Sequence, residues 1–150
     1  MTIELQALGR AVKRLQYRHH RALDAGLATV GTTLAQWDAL RAIWRSPGSS
    51  AHALAVATFQ SDQAFGTLAN RLVAQGLVNR RPGRGRRIEH HMTASGERVL
   101  AAGRPIVEDV LTASFADLSE AGRATLLDLI LRVLGDDAAG VADDQSPEPV

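Results

Sequence analysis

The chain of 150 residues contains no cysteine, which excludes disulfides, thiolate metal sites and cysteine-based redox sensing or catalysis. It also lacks an apolar run of the roughly 18 residues that a membrane-spanning helix needs, and it begins without a signal-peptide pattern. We therefore expect a cytoplasmic protein that does not associate with membranes. Aromatic residues make up only 4% of the chain, yet its 45% hydrophobic content suits one domain with a buried core.

Lysine is almost absent, because Lys13 is the only lysine among 17 basic residues. Acidic residues are unevenly placed: residues 136–150 hold five of the 16 and no basic residue, which predicts a disordered acidic tail. The rest of the chain is therefore basic, with 17 basic against 11 acidic residues. Arginine pairs well with phosphates and guanine edges, although genomic base composition also produces an arginine and alanine bias.

Motifs of common catalytic sites are missing as well. The chain has no glycine-rich phosphate loop after a strand, no His-Glu-x-x-His and no serine-nucleophile motif, so we expect neither enzyme activity nor a cofactor. Histidines raise metal binding or pH sensing as an alternative. Adjacent histidines diverge on a helix and point to opposite faces of a strand, so we predict no metal site. The five histidines are His19, His20, His52, His90 and His91.

Helical periodicity marks both ends of the chain. Apolar residues spaced by three, four and three predict an amphipathic helix over about residues 3–25, with a seam that fits another helix. Towards the other end, Pro105 is predicted to kink or divide a long helix, and Ser119 to cap a final helix with a broad apolar face. The seam of the first helix consists of Leu5, Leu8, Val12 and Leu15.

The middle of the chain predicts three further helices. Thr33 and Gln36 stand in the capping-box relation at the start of one, which ends before Pro47. Ser50 is placed to cap a short helix, and Ser61 to cap a longer one. The longer helix has an apolar stripe of Phe65, Leu68 and Leu72 and ends at Gly76, so its opposite face is polar.

A basic turn follows that polar helix. The stretch "RRPGRGRR", residues 80–87, lies between "LVN" and the alternating segment "IEHHMT", and the pattern predicts a two-stranded hairpin. Helix, helix, turn, helix and basic hairpin is the order of a winged helix-turn-helix, whose second helix enters the major groove of DNA. A solvated polar face and a basic linker are the simpler interpretations of each part alone. A winged module that binds RNA or another protein is the alternative function.

The chain resembles the MarR-type (multiple-antibiotic-resistance) transcription regulators over nearly all of residues 1–135. The resemblance is carried by "TLAQWDALRAI", "SAHALAVATFQSDQAFGTLANRLVAQGLVNRR", "MTASGERVL" and "LSEAGRATLLDLILRVL", in that order. It implies a mainly α fold with a small β-hairpin, in which residues 33–93 form the winged helix-turn-helix. Residues 1–30 and 94–135 would then be dimerisation helices, and residues 136–150 the tail.

This resemblance also implies what the chain binds. The family's members are homodimers that bind double-stranded DNA at a palindromic operator, often as repressors that a small aromatic or phenolic acid releases. Their wing commonly carries an aspartate before paired arginines, whereas this chain has Gly85 there and a hairpin about two residues shorter. The matching DNA-binding positions are Ser50, Ser61, Asp62, Gln63, Thr67, Asn70, Arg71, Arg84, Arg86 and Arg87. The expected effector pocket is lined by Tyr17, His20, Trp37 and Arg41.

Overall fold

A computed structural model describes residues 2–139 and 141 and shows a mainly α-helical chain with one two-stranded hairpin, which confirms the predicted fold class. None of the described helices is long and apolar enough to span a membrane. The elements are α1 (Leu5–Ala28), α2 (Leu34–Arg45), α3 (Ala51–Ala57), α4 (Asp62–Ala74), β1 (Val78–Pro82), β2 (Ile88–Met92), α5 (Ala94–Ser114) and α6 (Glu120–Leu134).

The chain divides into two compact units, residues 1–111 and 112–150. The proposed single domain over 1–135 therefore remains a prediction. A short 3-10 helix over Gly135–Ala138 covers the start of the segment that we predicted to be a disordered tail. Most of that segment, residues 140 and 142–150, lies outside the described residues.

Side-chain caps begin four of the helices, as the sequence predicts. The hydroxyls of Thr33, Ser50, Ser61 and Ser119 each accept a hydrogen bond from the backbone N–H three residues later, at 3.1–3.2 Å. The side-chain oxygen of Gln36 does not complete the capping box, because it accepts from the Thr32 hydroxyl at 3.2 Å instead. A polar cap therefore sets the start of each of these four helices, and its loss typically costs about 1 kcal/mol.

The core of the first unit joins α2, α4, β1 and α5. Phe65 and Leu40 are fully buried, and Trp37 is only 5% exposed, with its indole Nε1 donating to the Leu100 carbonyl at 3.1 Å. Gly103 permits this close approach, because a Cβ there would lie 2.2 Å from Trp37 Nε1. This packing fixes the position of α4, whose opposite face is exposed to solvent.

Pro105 does not divide the long helix, so this part of the prediction was wrong. Helix α5 runs without interruption from Ala94 to Ser114 with Pro105 inside it. A proline inside a helix costs about 3 kcal/mol because it removes a hydrogen bond and crowds the preceding turn. Ile106, the next residue, packs against Gly26 of α1, so tertiary contact holds the helix where local preference would end it.

In the second unit, the predicted apolar face of α6 contains no fully buried residue; its members are Leu126, Leu127, Ile130, Leu131 and Leu134. Ile130 is 43% exposed and Leu134 is 37% exposed, and outside that predicted face Leu129 is 49% exposed and Val133 is 87% exposed. Ser119 caps the helix start, and Arg123 Nε donates to the Phe115 carbonyl at 3.2 Å. The described chain therefore leaves an apolar helix surface in contact with solvent.

Candidate nucleic-acid interface

A tight turn connects α3 to α4. The backbone N–H of Gln60 donates to the Ala55 carbonyl at 2.9 Å, and that of Phe59 donates to the Val56 carbonyl at 3.2 Å. This is the pattern that closes a helix with one residue in the left-handed conformation, and Phe59 takes that conformation with φ of 57°. The chain then enters the Ser61 cap of α4, so the two helices of the motif are joined by very few residues.

Helix α4 buries one face and exposes the other, as its spacing predicts. Phe65, Leu68, Ala69 and Leu72 are buried. The exposed polar side chains are those that we predicted to contact DNA: Asp62, Gln63, Thr67, Asn70 and Arg71. This face is polar, and its length suits the major groove, which admits an α-helix.

Hydrogen bonds orient three of these side chains. His52 Nδ1 lies 2.9 Å from Asp62 Oδ1, and the Thr67 hydroxyl donates to the Gln63 carbonyl at 3.2 Å. Arg80 Nη2 of β1 donates to Asn70 Oδ1 at 2.7 Å. Because Arg80 occupies the Asn70 oxygen, the amide N–H₂ group of Asn70 is left to donate outward.

Helix α4 ends as predicted at Gly76, which has φ of 73°. The N–H of Leu77 donates to the Leu72 carbonyl at 2.9 Å, so the chain reverses immediately into β1. Thr93 closes the hairpin at this point, since its hydroxyl donates to the Gly76 carbonyl at 2.7 Å. The wing therefore begins and ends beside the last turn of α4.

The hairpin is antiparallel, with Val78 opposite Met92 and Pro82 opposite Ile88. Its tip, Gly83–Arg87, is closed by the Gly83 N–H donating to the Arg87 carbonyl at 2.8 Å. Gly85 adopts φ of 63°, a conformation that favours glycine. The basic stretch is thus a structured turn and not a linker.

The wing is also tied to the loop between α2 and α3, a contact that sequence reasoning missed. His90 exchanges backbone hydrogen bonds with this loop: its carbonyl accepts from Gly48 N–H at 3.0 Å, and its N–H donates to the Ser49 carbonyl at 3.1 Å. His90 Nδ1 donates to the same Ser49 carbonyl at 3.0 Å. Arg87 Nη2 donates to the Gly48 carbonyl at 3.0 Å.

His90 is the most deeply buried titratable group of this region, at 2% exposed. Burial lowers the pKa of His90, and the positive charge of Arg80 adds to that effect, while the hydrogen bond to Ser49 opposes it. Because Nδ1 donates to a carbonyl, the neutral ring carries its proton there, and the buried Nε2 has no partner among the described residues. The neutral ring therefore fits this site better than the charged one.

The tip of the wing carries Gly85 at the position where an aspartate is expected. A carboxylate is instead present on β2, where it belongs to Glu89. His91 Nε2 lies 3.0 Å from Glu89 Oε1. This hydrogen bond lowers the pKa of Glu89, with smaller contributions from the charges of His91, Arg87 and Arg81, while desolvation opposes the shift. The carboxylate lies against Gly83, where a Cβ would come within 2.9 Å of Glu89 Oε2.

The arginines of the wing consequently divide into two groups. Arg80 and Arg87 hydrogen-bond to Asn70 and Gly48. Arg81, Arg84 and Arg86 are exposed, and their side chains make no hydrogen bond or ion pair to the residues that the structure describes. Arg71 on α4 is exposed in the same way. The side chains available to a phosphate are therefore Arg81 on β1, the two arginines at the tip and Arg71 on α4.

The four residues of the expected effector pocket do not line one cavity. Trp37 belongs to the core, with Arg41 over its ring at 5.9 Å, whereas Tyr17 is exposed on α1 beside Arg21 at 5.8 Å. An open groove along α1 includes Tyr17 and none of the other three. His20 is exposed on the same helix.

Asp38, which sequence reasoning missed, links two members of that set. Burial raises the pKa of Asp38, and the nearby charges of Arg41 and His20 oppose the shift. The part of the chain that the structure describes contains no group of three or more His, Cys, Asp or Glu residues able to hold a metal ion. Asp38 is therefore a half-buried carboxyl close to the side chains of Arg41 and His20.

Comparison with known proteins gives a consistent result. A model of the MarR family matches residues 30–88, which run from just after α1 to the first residue of β2. No curated protein matches the chain.

Solved structures share the fold. A mutant of MarR from E. coli, complexed with operator DNA, has a TM-score of 0.80 at 24% identity, over 85% of this chain and 94% of that one. A MarR-family transcriptional regulator from Rhodococcus sp. RHA1 has a TM-score of 0.81 at 15% identity, over 91% and 98%. BpsR from Bordetella bronchiseptica, whose DNA binding is regulated by 6-hydroxynicotinic acid, has a TM-score of 0.77 at 20% identity, over 89% and 98%.

Proposed function

We propose that this chain is a member of the MarR family of transcriptional regulators, whose family model matches residues 30–88, and that it binds double-stranded DNA sequence-specifically as a homodimer. The observation that carries the proposal is the joint exposure of the polar face of α4 and of the guanidinium groups of Arg84 and Arg86. Amide and hydroxyl side chains recognise base edges, and arginines bind phosphates or the minor groove. One helix and one wing thus supply both kinds of contact.

Specificity is assigned to Gln63, Thr67 and Asn70, and affinity to Arg71, Arg84 and Arg86. Arg87, which the resemblance grouped with the DNA contacts, is assigned a structural role in this proposal, because its hydrogen bond to the Gly48 carbonyl holds the wing against the loop between α2 and α3. Ser50 and Ser61 hold the helix starts through their hydroxyls, so their contribution to DNA binding is to place the helices.

Dimerisation is supported by apolar residues that the described chain leaves exposed on α1 and on α6. Leu5 is 80% exposed, Val12 is 62% exposed and Val133 is 87% exposed. Exposed apolar surface of this kind marks protein–protein contact, and in each unit a second copy related by a two-fold axis would cover it symmetrically. Two winged modules related in this way match a palindromic operator.

We extend the proposal to repression that a small aromatic or phenolic acid relieves. BpsR, which shares the fold, responds to 6-hydroxynicotinic acid. In this chain Arg41 lies over the Trp37 ring at 5.9 Å, which places a positive charge beside an aromatic ring. Tyr17 and His20 are the other two residues of the expected pocket, and both are exposed on α1. An effector of this kind releases DNA only if it favours a conformation that the operator does not fit.

Gel-shift titration tests the DNA-binding proposal directly. The probe is the region upstream of the chain's own gene, at two salt concentrations, with random duplex and single-stranded RNA as competitors. We expect the upstream region to resist both competitors, and 6-hydroxynicotinic acid to serve as the first effector probe. Equal competition by random DNA would contradict sequence-specific binding, and preferential competition by RNA would favour an RNA-binding module.

An arginine substitution measures the contribution of the wing. We expect Arg86→Ala to weaken binding to all duplexes and to reduce the salt slope by about 1 for each phosphate that a protomer no longer neutralises. Arg10→Ala on α1 is the matched control, because it removes the same charge outside residues 30–93. Identical salt slopes for the two variants would remove the wing from the proposed interface.

A further inference from the structure

The pair of His52 and Asp62 links the two helices of the helix-turn-helix at the surface. His52 lies on α3 and Asp62 is the first residue of α4, and their Nδ1 and Oδ1 atoms are 2.9 Å apart. Both side chains remain largely solvent-accessible, at 75% and 70% exposed. We infer that His52 is a positioning residue that orients Asp62 to recognise a cytosine, an inference that rests on the proposed DNA-binding function.

The direction of the hydrogen bond determines what the carboxylate can still do. An ionised carboxylate only accepts, so His52 Nδ1 carries the proton and donates it to Oδ1. The other oxygen, Oδ2, makes no hydrogen bond to the described residues and remains available as an acceptor. In the major groove a carboxylate accepts from the N4 amino group of cytosine, whereas the N6 amino group of adenine lies beside the N7 acceptor, which repels a carboxylate.

The position of Asp62 suits this contact. The N-terminal residues of a recognition helix reach the base edges, and the helix dipole favours a negative side chain in the first turn. A carboxylate that swings freely would also meet the DNA phosphates, which repel it. The bond from His52 restricts Asp62 to one orientation, and residues 53–61 between them carry no charged side chain that competes for it.

Selection of binding sites from a library of random duplexes measures the base preference at each position of the half-site and so tests this contact. The full chain is used to select sites, and the enriched sites are compared for wild type, Asp62→Ala, His52→Ala and His52→Asn. We expect one position of the wild-type half-site to favour cytosine about tenfold or more over the other bases. Asp62→Ala should abolish that preference, and His52→Ala should reduce it several-fold while the other positions stay unchanged.

His52→Asn is the conservative variant, because its amide N–H₂ donates from nearly the same place as Nδ1. We expect it to restore the cytosine preference, which a loss of fold stability would not explain. Gln63→Ala is the matched control on the same helix and should alter a different position.

Three results overturn the inference. An enriched wild-type site without the cytosine overturns it alone, and so does a uniform loss of binding across all positions in His52→Ala. A wild-type chain that enriches no sequence overturns the proposed function and this inference with it.

Discussion

Helices α1 and α4 are both amphipathic, but their apolar faces meet different surroundings. In α4, Phe65 and Leu72 are fully buried by the chain's own core. In α1, only Leu27 is buried, while Leu8 is 52% exposed and Val12 is 62% exposed. The same periodic pattern therefore identifies a helix without telling whether its own chain or a partner covers the apolar face.

This difference separates two kinds of function. Because the core already covers the apolar face of α4, its polar face is the part left for a ligand, and the proposal assigns that face to DNA. The apolar seam of α1 is the part that remains uncovered within the described chain, and the proposal assigns it to a second copy. Substitutions on the two helices should therefore act on different equilibria.

The largest expected effect comes from truncating the core of α4. Phe65→Ala should lower the free energy of unfolding by about 3–5 kcal/mol, because it removes a fully buried ring and leaves a cavity. Leu8→Ala on α1 is the counterpart, and it should raise the dissociation constant of the dimer while changing the stability of the separated protomer much less. Urea denaturation measures the effect of Phe65→Ala, and sedimentation over a dilution series measures that of Leu8→Ala. An unchanged dissociation constant in Leu8→Ala would contradict the assignment of α1 to the dimer.

An intermediate effect on stability is expected from pH, because the wing and helix α1 each contain a histidine with a lowered pKa. His90 in the wing is shifted mainly by burial, and so is the more accessible His19 on α1, where the charge of Arg18 adds to the shift. Above the unfolded value of 6.5 both states are neutral and the stability is complete. As pH falls below 6.5, the unfolded chain binds protons that the folded chain resists, so stability declines.

Two variants measure how much of this decline in unfolding free energy comes from His90 in the wing and how much from His19 on α1. His90→Asn keeps a donor for the Ser49 carbonyl but cannot titrate, and we expect it to flatten the fall in unfolding free energy below pH 6.5. His19→Asn should flatten it less, because His19 is the less buried of the two. Urea denaturation at several pH values measures both slopes. A steeper dependence in His90→Asn than in wild type would show that the charged ring is the form that the fold accommodates.

Local signals were predictable from the sequence and account for much of the interface. Ser50 and Ser61 cap their helices, and Gly76 ends α4, because each acts on backbone groups within a few residues. The apolar spacing also identified the exposed face of α4. Caps, stripes and turns of this kind depend on short stretches of chain, which is why one sequence is sufficient to place them.

Contacts between distant residues were not predictable in the same way. Arg87 and Gly48 are 39 residues apart, and His90 and Ser49 are 41 apart, and no local pattern connects either pair. Sequence alone therefore grouped Arg87 with Arg84 and Arg86 as a contact to DNA. Pro105 shows the converse, because its strong local signal for a break was outweighed by the packing of Ile106 against α1.

The smallest effect concerns an exposed apolar residue that belongs to neither helix face. Phe59, between α3 and α4, is 91% exposed and holds φ of 57°, a conformation that costs most L-residues about 1–2 kcal/mol. Asparagine adopts it more readily, so Phe59→Asn should raise the free energy of unfolding by about 0.5–1 kcal/mol. Val56→Asn, on an exposed position with helical backbone, is the control and should bring no gain. Equal changes in the two variants, measured by urea denaturation, would show that loss of exposed apolar surface and not relief of backbone strain is responsible.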